Sequence, residues 1–366
     1  MNSIKQNAKT KKNETLNTLK QVDEHIWMLE YKSSYGLDAL LESGEKSILG
    51  VVRFLQKEVS CPHMMPNIFH DGGCSTFNAK TPDGKYILGR NFDYKDAPCI
   101  VLWTNPENGY KSMSIVDTTV LFYGYKRNNL KNIKYPLRLM GTPYTCMDGI
   151  NEKGLACAVL EIKAKSTKQK TGKKPITTTV ALRAILDKCA TVDEAINLLS
   201  SYDMYDLLFV NYHYQILDSN GNSAIIEYVD NKMHIIRQQK EEQSIITTNF
   251  FLTPGGDNTK SMGRNRFRKI EKCLENNNGI ITEEKAMELL AHNTLYYHHE
   301  WMPHMVTTLW SGVYNSTDMS LLLCAGMDYH NMYKFSLERP GEYTLIKENI
   351  ETKPLNEGGE LIGKAN

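Results

Sequence analysis

A thiol, a guanidinium and a carboxylate stand within twenty residues of one another in this chain: Cys74 in Gly72-Gly-Cys-Ser-Thr-Phe77, and Arg90 and Asp93 in Tyr86-Ile-Leu-Gly-Arg-Asn-Phe-Asp-Tyr94. A cysteine attacks as its thiolate, and a neighbouring guanidinium favours that form. Two glycines ahead of Cys74 let the backbone turn sharply and be approached closely. For the three groups to meet, the chain between them must fold back. Cys74–Phe77 and Lys85–Phe92 are short apolar–polar runs split by Thr81-Pro-Asp-Gly84, and Asp-Gly between two such runs signals a hairpin. That hairpin carries the start of the first strand, Cys74, to the end of the second, where Arg90 and Asp93 sit. Taken singly, a strand cysteine is usually a small buried hydrophobe, and Gly-Arg-Asn-x-Asp is an ordinary polar strand end. The order and spacing together point to chemistry.

The pattern Cys-x-x-Phe followed by Asp-Gly-x-x-Ile-x-Gly-Arg-Asn-x-Asp resembles the choloylglycine hydrolase and acid ceramidase group of N-terminal nucleophile hydrolases. Asn67-Ile-Phe69, just upstream, is similar to the acid ceramidase precursor at its cut site. Gly149-Ile-Asn-Glu-Lys-Gly-Leu-Ala156, Thr247-Thr-Asn-Phe250 and Thr308-Leu-Trp-Ser-x-Val-Tyr314 extend the resemblance, in the family's order, over roughly 67–337. It implies an α+β fold, an αββα sandwich, and linear-amide hydrolysis by a precursor cut just before Cys74. Cys74 would be the nucleophile and its freed α-amine the general base. Arg90 would orient and activate the thiolate, and Asp93 would hold the α-ammonium. Asn249 would lend an amide to the oxyanion hole. The family's substrate-side arginine corresponds to Arg266, with Arg264 as the other choice.

Glu161 ends the apolar run after Gly149-Ile-Asn-Glu. Bile salt hydrolases carry Asn at the matching place, whereas acid ceramidase and its amidase relatives carry Glu. A carboxylate ending a buried strand needs a partner, with Arg90 the candidate; a solvated strand end is the other reading. The resemblance therefore leans toward a small-molecule N-acyl amide with an apolar acyl chain. Bile salts or phenoxyacyl amides, acyl transfer to an amine, and a non-catalytic binding protein on the same fold are the alternatives. No cofactor is expected. His298, His299 and His304 lack the i, i+4 spacing of a zinc helix, so no metal is expected either.

Composition agrees with a globular chain large enough for a substantial core: 366 residues, 41% hydrophobic and 23% charged. A formal net charge of +1 gives no field for nucleic acid. The eight cysteines are scattered without a C-x-x-C pair, against a zinc ribbon or a disulfide scaffold. No apolar signal region opens the chain and no run is long enough for a membrane span, so a cytoplasmic protein is expected, with homo-oligomerisation left open.

The elements that must hold these groups divide at Cys74. Residues 1–73 read as a helical pre-segment, propeptide or subunit: a frayed tail to about residue 14, a helix over Leu16–Tyr31, and a second helical face from Leu37 to Val59. Cut off, this piece is expected to stay bound as a partner of residues 74–366. Beyond Asp93, strands are expected at 100–104, 114–116 and 118–125, and 148–161 is expected to be a tight turn feeding an apolar strand, within a turn-rich 141–154. A basic loop over Lys163–Lys174 follows, mobile and placed to act as a lid. Helices are expected at 177–188, 191–199, 261–274 and 282–292, with strands at 207–218, 223–229, 233–237, 245–248, 306–314, 319–324 and 332–337 and a disordered end from about residue 352.

Overall fold

Most strands of this protein are unbroken runs of buried residues, such as Cys99–Thr104, Ala156–Ile162 and Ser320–Ala325, because both faces of each sheet are covered. A computed structural model describes residues 2–61, 72–121, 130, 136–206, 210–239, 242–298, 305–352 and 354–355. A nine-stranded sheet runs in the order Lys20–Gln21, Ile26–Tyr31, Cys99–Thr104, Ser112–Asp117, Cys146–Asn151, Ala156–Ile162, Asn211–Leu217, Ser223–Val229, Lys232–Arg237. An eight-stranded sheet runs Ile246–Thr247, Gly73–Lys80, Tyr86–Lys95, Met305–Asn315, Ser320–Ala325, Asn331–Ser336, Thr344–Lys347, with Tyr296–His298 also paired to Met305–Asn315.

Three apolar cores separate four layers. Cys74, Leu88, Phe92, Trp310 and Tyr314 of the smaller sheet pack on Val101, Met113, Ile150 and Leu160 of the larger, filling the space between the sheets. The outer face of the larger sheet is covered by helices Leu37–Ser43, Ile48–Phe54, Thr178–Lys188 and Val192–Ser200. The outer face of the smaller is covered by helices Arg264–Asn276 and Glu283–Ala291. This is the αββα sandwich.

The hairpin forms as expected, with Gly73–Lys80 antiparallel to Tyr86–Lys95 and Cys74 opposite Phe92. Thr191 and Thr282 cap their helices by accepting the N–H of Glu194 and Lys285, as Ser/Thr followed by an acidic first turn predicts.

The pre-segment departs from expectation. The helix is Asn2–Asn17, where a frayed tail was expected, and Leu16–Tyr31 is not a helix. Ile26–Tyr31 is a strand, paired in parallel with Cys99–Thr104 inside the larger sheet. Its apolar residues also fit a three-and-four spacing, but Ile-Trp-Met-Leu-Glu-Tyr is a short continuous run, which a buried strand satisfies equally well. Asp23 fixes its start by accepting the N–H groups of His25 and Ile26.

Four other expectations fail in the same local way. Thr118–Leu121 is a helical turn rather than a strand, led by Asp117, whose carboxylate accepts the Thr119 N–H and hydroxyl; 122–125 lie outside the described residues. Asp148 lies within the strand Cys146–Asn151; the expected turn that feeds Ala156–Ile162 begins later, at Glu152. The basic loop is pinned, since Lys168 N–H donates to Asn231 and Thr171 donates twice to Asp203. In the stretch from about 352, Leu355 is buried and exchanges backbone hydrogen bonds with Thr294 and Tyr296, while 353 and 356–366 lie outside the described residues. Asn67-Ile-Phe69, His299 and His304 lie outside the described residues, and among those described no group of three metal-ligating side chains exists.

Candidate active site

Side chains alternate across a strand, and that alternation sorts the groups around Cys74. Cys74 opposes Phe92, with Arg90 two residues away on the same face. All three point into the core between the sheets. Asp93 opposes Gly73 and points the other way, toward helix Arg264–Asn276. One hairpin thus presents a cation to the Cys74 side chain and a carboxylate to its main chain.

The main chain of Cys74 is gripped by two buried side chains. Its N–H donates to Asn249 Oδ1 at 2.8 Å, and its carbonyl accepts from Arg266 Nη1 at 2.9 Å. Arg266 Nη1 also reaches Asp93 Oδ2 at 3.0 Å, and its Nη2 donates to Asn249 Oδ1 at 2.7 Å. Asp93 Oδ1 accepts the Thr308 hydroxyl at 2.5 Å. Arg266 is therefore a clamp joining Cys74, Asp93 and Asn249. Arg264 lies elsewhere, its guanidinium 4.4 Å from the centre of the Phe250 ring. Asn249 turns its oxygen to Cys74 and gives its amide N–H to the Glu161 carbonyl at 2.7 Å.

The two glycines serve close approach. Neither is among the positive-φ residues, so the expected sharp turn is not their reason. A Cβ on Gly72 would stand 2.5 Å from the Asp93 carbonyl oxygen. One on Gly73 would meet Leu295 Cδ1 at 2.6 Å, Asp93 Oδ2 at 2.9 Å and Arg266 Nη2 at 3.0 Å.

Arg90 is fully buried and its ion pair is with Asp148, Nε to Oδ2 at 2.7 Å, rather than with Glu161. Asp148 comes from the facing sheet and also accepts the Trp310 indole N–H at 3.0 Å and the Tyr314 hydroxyl. Sequence reading placed Asp148 in a turn and so missed it. The available signal was an acid inside an otherwise apolar run, Cys-Met-Asp-Gly-Ile, which demands a buried cation. Glu161 opposes Tyr212 at the end of its strand and joins Cys74, Phe92, Asp93, Tyr94, Met147 and Val159 in lining a cavity of about 40 Å³. That is room for a few waters. Gly72 and Gly73 form part of its wall.

Burial pushes the Cys74 thiol above its ordinary value; Arg90 and Arg266 pull it down, Asp93 and Glu161 push it up. The guanidinium thus favours the thiolate, as expected, but in the uncut chain loss of hydration outweighs two cations. Burial also raises Asp93, against the pull of Arg266, Thr308 and Arg90.

Two facing sheets between helices, with a cysteine at the start of an inner strand, are the architecture of N-terminal nucleophile hydrolases. The family model for acyl-coenzyme A:6-aminopenicillanic acid acyl-transferase matches residues 79–329, and the chain belongs to that family. The match begins after Cys74, so the nucleophile's placement rests on the geometry above. Penicillin V acylase from Pectobacterium atrosepticum is 36% identical over 141 residues, covering 32% of this chain and 37% of that protein. The bile salt hydrolase/transferase of Clostridium perfringens is 26% identical over 177 residues, covering 44% of this chain and 50% of that protein. The chain thus spans half or less of the length of these curated relatives. The crystal structure of the conjugated bile acid hydrolase from Clostridium perfringens superposes with a TM-score of 0.51 over 80% of this chain and 100% of that one. At 15% identity this likeness concerns the fold.

Proposed function

We propose that this protein is a cysteine amidase that matures by cleavage between Gly73 and Cys74 and hydrolyses the linear amide bond of N-acyl amides. One observation carries the reading: the polar groups converge on the backbone nitrogen and carbonyl of Cys74, not only on its sulfur. A thiol assisted by a histidine would need no grip on its own N–H. A cysteine whose amine is the base must have that nitrogen held.

The sequence of steps follows. In the matured chain the Cys74 α-amine, with a reference pKa near 8, takes the thiol proton. Sγ attacks the amide carbonyl, and a tetrahedral oxyanion forms. The C–N bond breaks and the leaving amine carries off the proton from the α-ammonium. Water, deprotonated by the same amine, opens the thioester, releasing acid and thiol. Asp93, through Arg266 and Asn249, keeps the α-nitrogen in place, and Arg90 supplies positive charge at the sulfur.

For the acyl half, Phe92, Tyr94, Met147, Val159 and Tyr212 give the cavity a mainly apolar and aromatic wall, which favours an apolar acyl chain. Glu161 at its edge supports the lipid-amide side of the family over conjugated bile salts. Acyl transfer is the second reading, favoured by the transferase named in the family's description and in that of the Clostridium relative. Mature protein and Cys74→Ala are to be assayed on N-acyl ethanolamines, N-acyl sphingosines, penicillin V and glycocholate, with and without an added amine. Release of free acid by the parent and none by Cys74→Ala is the expected result. Turnover by purified Cys74→Ala would end the proposal, and amide product in place of acid would select transfer.

A further inference from the structure

Arg90 meets Asp148 through one edge of its guanidinium only. Nε donates to Oδ2 at 2.7 Å, while Nη1 and Nη2 are buried and make no hydrogen bond among the described residues. Two buried unsatisfied donors on a charged group are costly. They persist here because Asp148 is itself immobilised, holding the Trp310 indole and the Tyr314 hydroxyl as well as Arg90. Trp310 stacks on Phe92 at 4.1 Å and 13°, and Phe92 lies 5.3 Å under the Arg90 guanidinium. Phe92 is in turn the residue opposite Cys74. Carboxylate, indole, phenyl ring and guanidinium form one packed unit crossing from the larger sheet to the strand paired with the one that carries the nucleophile.

We propose that Asp148 is a positioning residue for the Cys74 chemistry: by occupying the Nε edge of Arg90, it fixes the guanidinium so that its two free nitrogens serve the sulfur and the oxygen of the tetrahedral intermediate. Neither Asp148 nor Arg90 lines the cavity; Asp148 touches Arg90, whose charge acts on the Cys74 thiol, and so acts through Arg90. The planar fork of arginine is essential, since one edge pairs with Asp148 while the other stays available. A lysine would be a single ammonium on Asp148, leaving nothing for the sulfur.

The inference rests on the amidase reading, which Cys74→Ala tests separately. In mature protein that Cys74→Ala has shown to be cysteine-dependent, kcat and KM are to be measured for Asp148→Asn, Arg90→Gln, Arg90→Lys and the double variant Asp148→Asn/Arg90→Gln, with thermal melts to show that each is folded. Asp148→Asn should lower kcat at least about tenfold with KM within about twofold, and the double variant should be no slower than Arg90→Gln alone, the non-additivity expected of residues acting as a unit. Arg90→Lys should be about as slow as Arg90→Gln. Wild-type kcat in Asp148→Asn, or losses that multiply in the double variant, would overturn the proposal. Should Asp148→Asn not fold, Arg90→Lys decides: activity near wild type would show that the fork is not needed.

Discussion

Arg90 and Asp93 lie three positions apart on one strand and reach Cys74 from its two faces, Arg90 inside the sandwich and Asp93 against helix Arg264–Asn276. Their substitutions should therefore fail differently. Arg90→Ala should lower the rate of amide cleavage by at least about a hundredfold. It also leaves Asp148 buried without its ion-pair partner, a loss of about 3–5 kcal/mol in a urea melt. Both residues are fully buried. Asp93→Ala frees Arg266 from the clamp, so the α-nitrogen loses its fixed place and both maturation and turnover should slow. Full-rate maturation in Asp93→Ala would show that the clamp does not serve the Cys74 nitrogen.

The Cys74 thiol of the uncut chain should titrate late. Burial raises it from 9.0, so its rate of alkylation, followed by peptide mass on the uncut chain, should have a midpoint above pH 9. The sign for stability follows. A thiol raised in the folded state favours folding below pH 9, and that contribution is lost as pH rises through the folded value. Buried Cys146, pushed up to about 11, and Cys61 and Cys189, pushed up to about 12, act in the same sense. Urea midpoints should hold to about pH 9 and fall above it. An alkylation midpoint below pH 8 would mean that Arg90 outweighs burial after all.

Glu161 should select substrate. Glu161→Asn substitutes the residue that bile salt hydrolases carry there. It should raise the ratio of glycocholate to N-acyl ethanolamine turnover, read as kcat/KM, by about tenfold, the scale of one polar contact. An unchanged ratio would remove Glu161 from specificity.

The hairpin was legible from its turn signal, and Cys74, Arg90 and Asp93 from their order and spacing; Asn249 and Arg266, with Arg264 as the other choice, came from the family resemblance. What was not legible needed a partner from another layer. Asp148 looks like a turn residue until Arg90 arrives from the facing sheet. Ile26–Tyr31 looks helical until Cys99–Thr104 lies beside it. The two glycines suggest a sharp turn, yet their reason is the Asp93 carbonyl and the Arg266 guanidinium pressed against them, contacts that span up to 193 positions of sequence. The net effect on the Cys74 thiol likewise depends on how deeply it is buried, which no local motif states.

The chain should cut itself between Gly73 and Cys74, and the structure says what that cut must overcome and what it leaves behind. While Gly73 is attached, the Cys74 nitrogen is an amide with no basic lone pair, and Gly72 and Gly73 wall a cavity of only about 40 Å³, too small for an N-acyl amide. The uncut chain should be inactive on external substrate for both reasons. Attack by the thiol on the Gly73 carbonyl would give a thioester that water opens, freeing the α-amine and clearing the wall of the cavity. Gly73→Ala should block this step, because its Cβ would collide with Leu295, Asp93 and Arg266, all within 3.0 Å. The released piece should stay bound, since Ile26–Tyr31 is paired along its whole length with Cys99–Thr104 and packs into both adjoining cores. Intact mass under denaturing conditions should give two fragments, the larger beginning Cys-Ser-Thr-Phe, that elute together on native gel filtration. Cys74→Ala and Gly73→Ala should each remain whole. An active preparation in which every chain is uncut would remove the α-amine as base and with it the N-terminal nucleophile assignment.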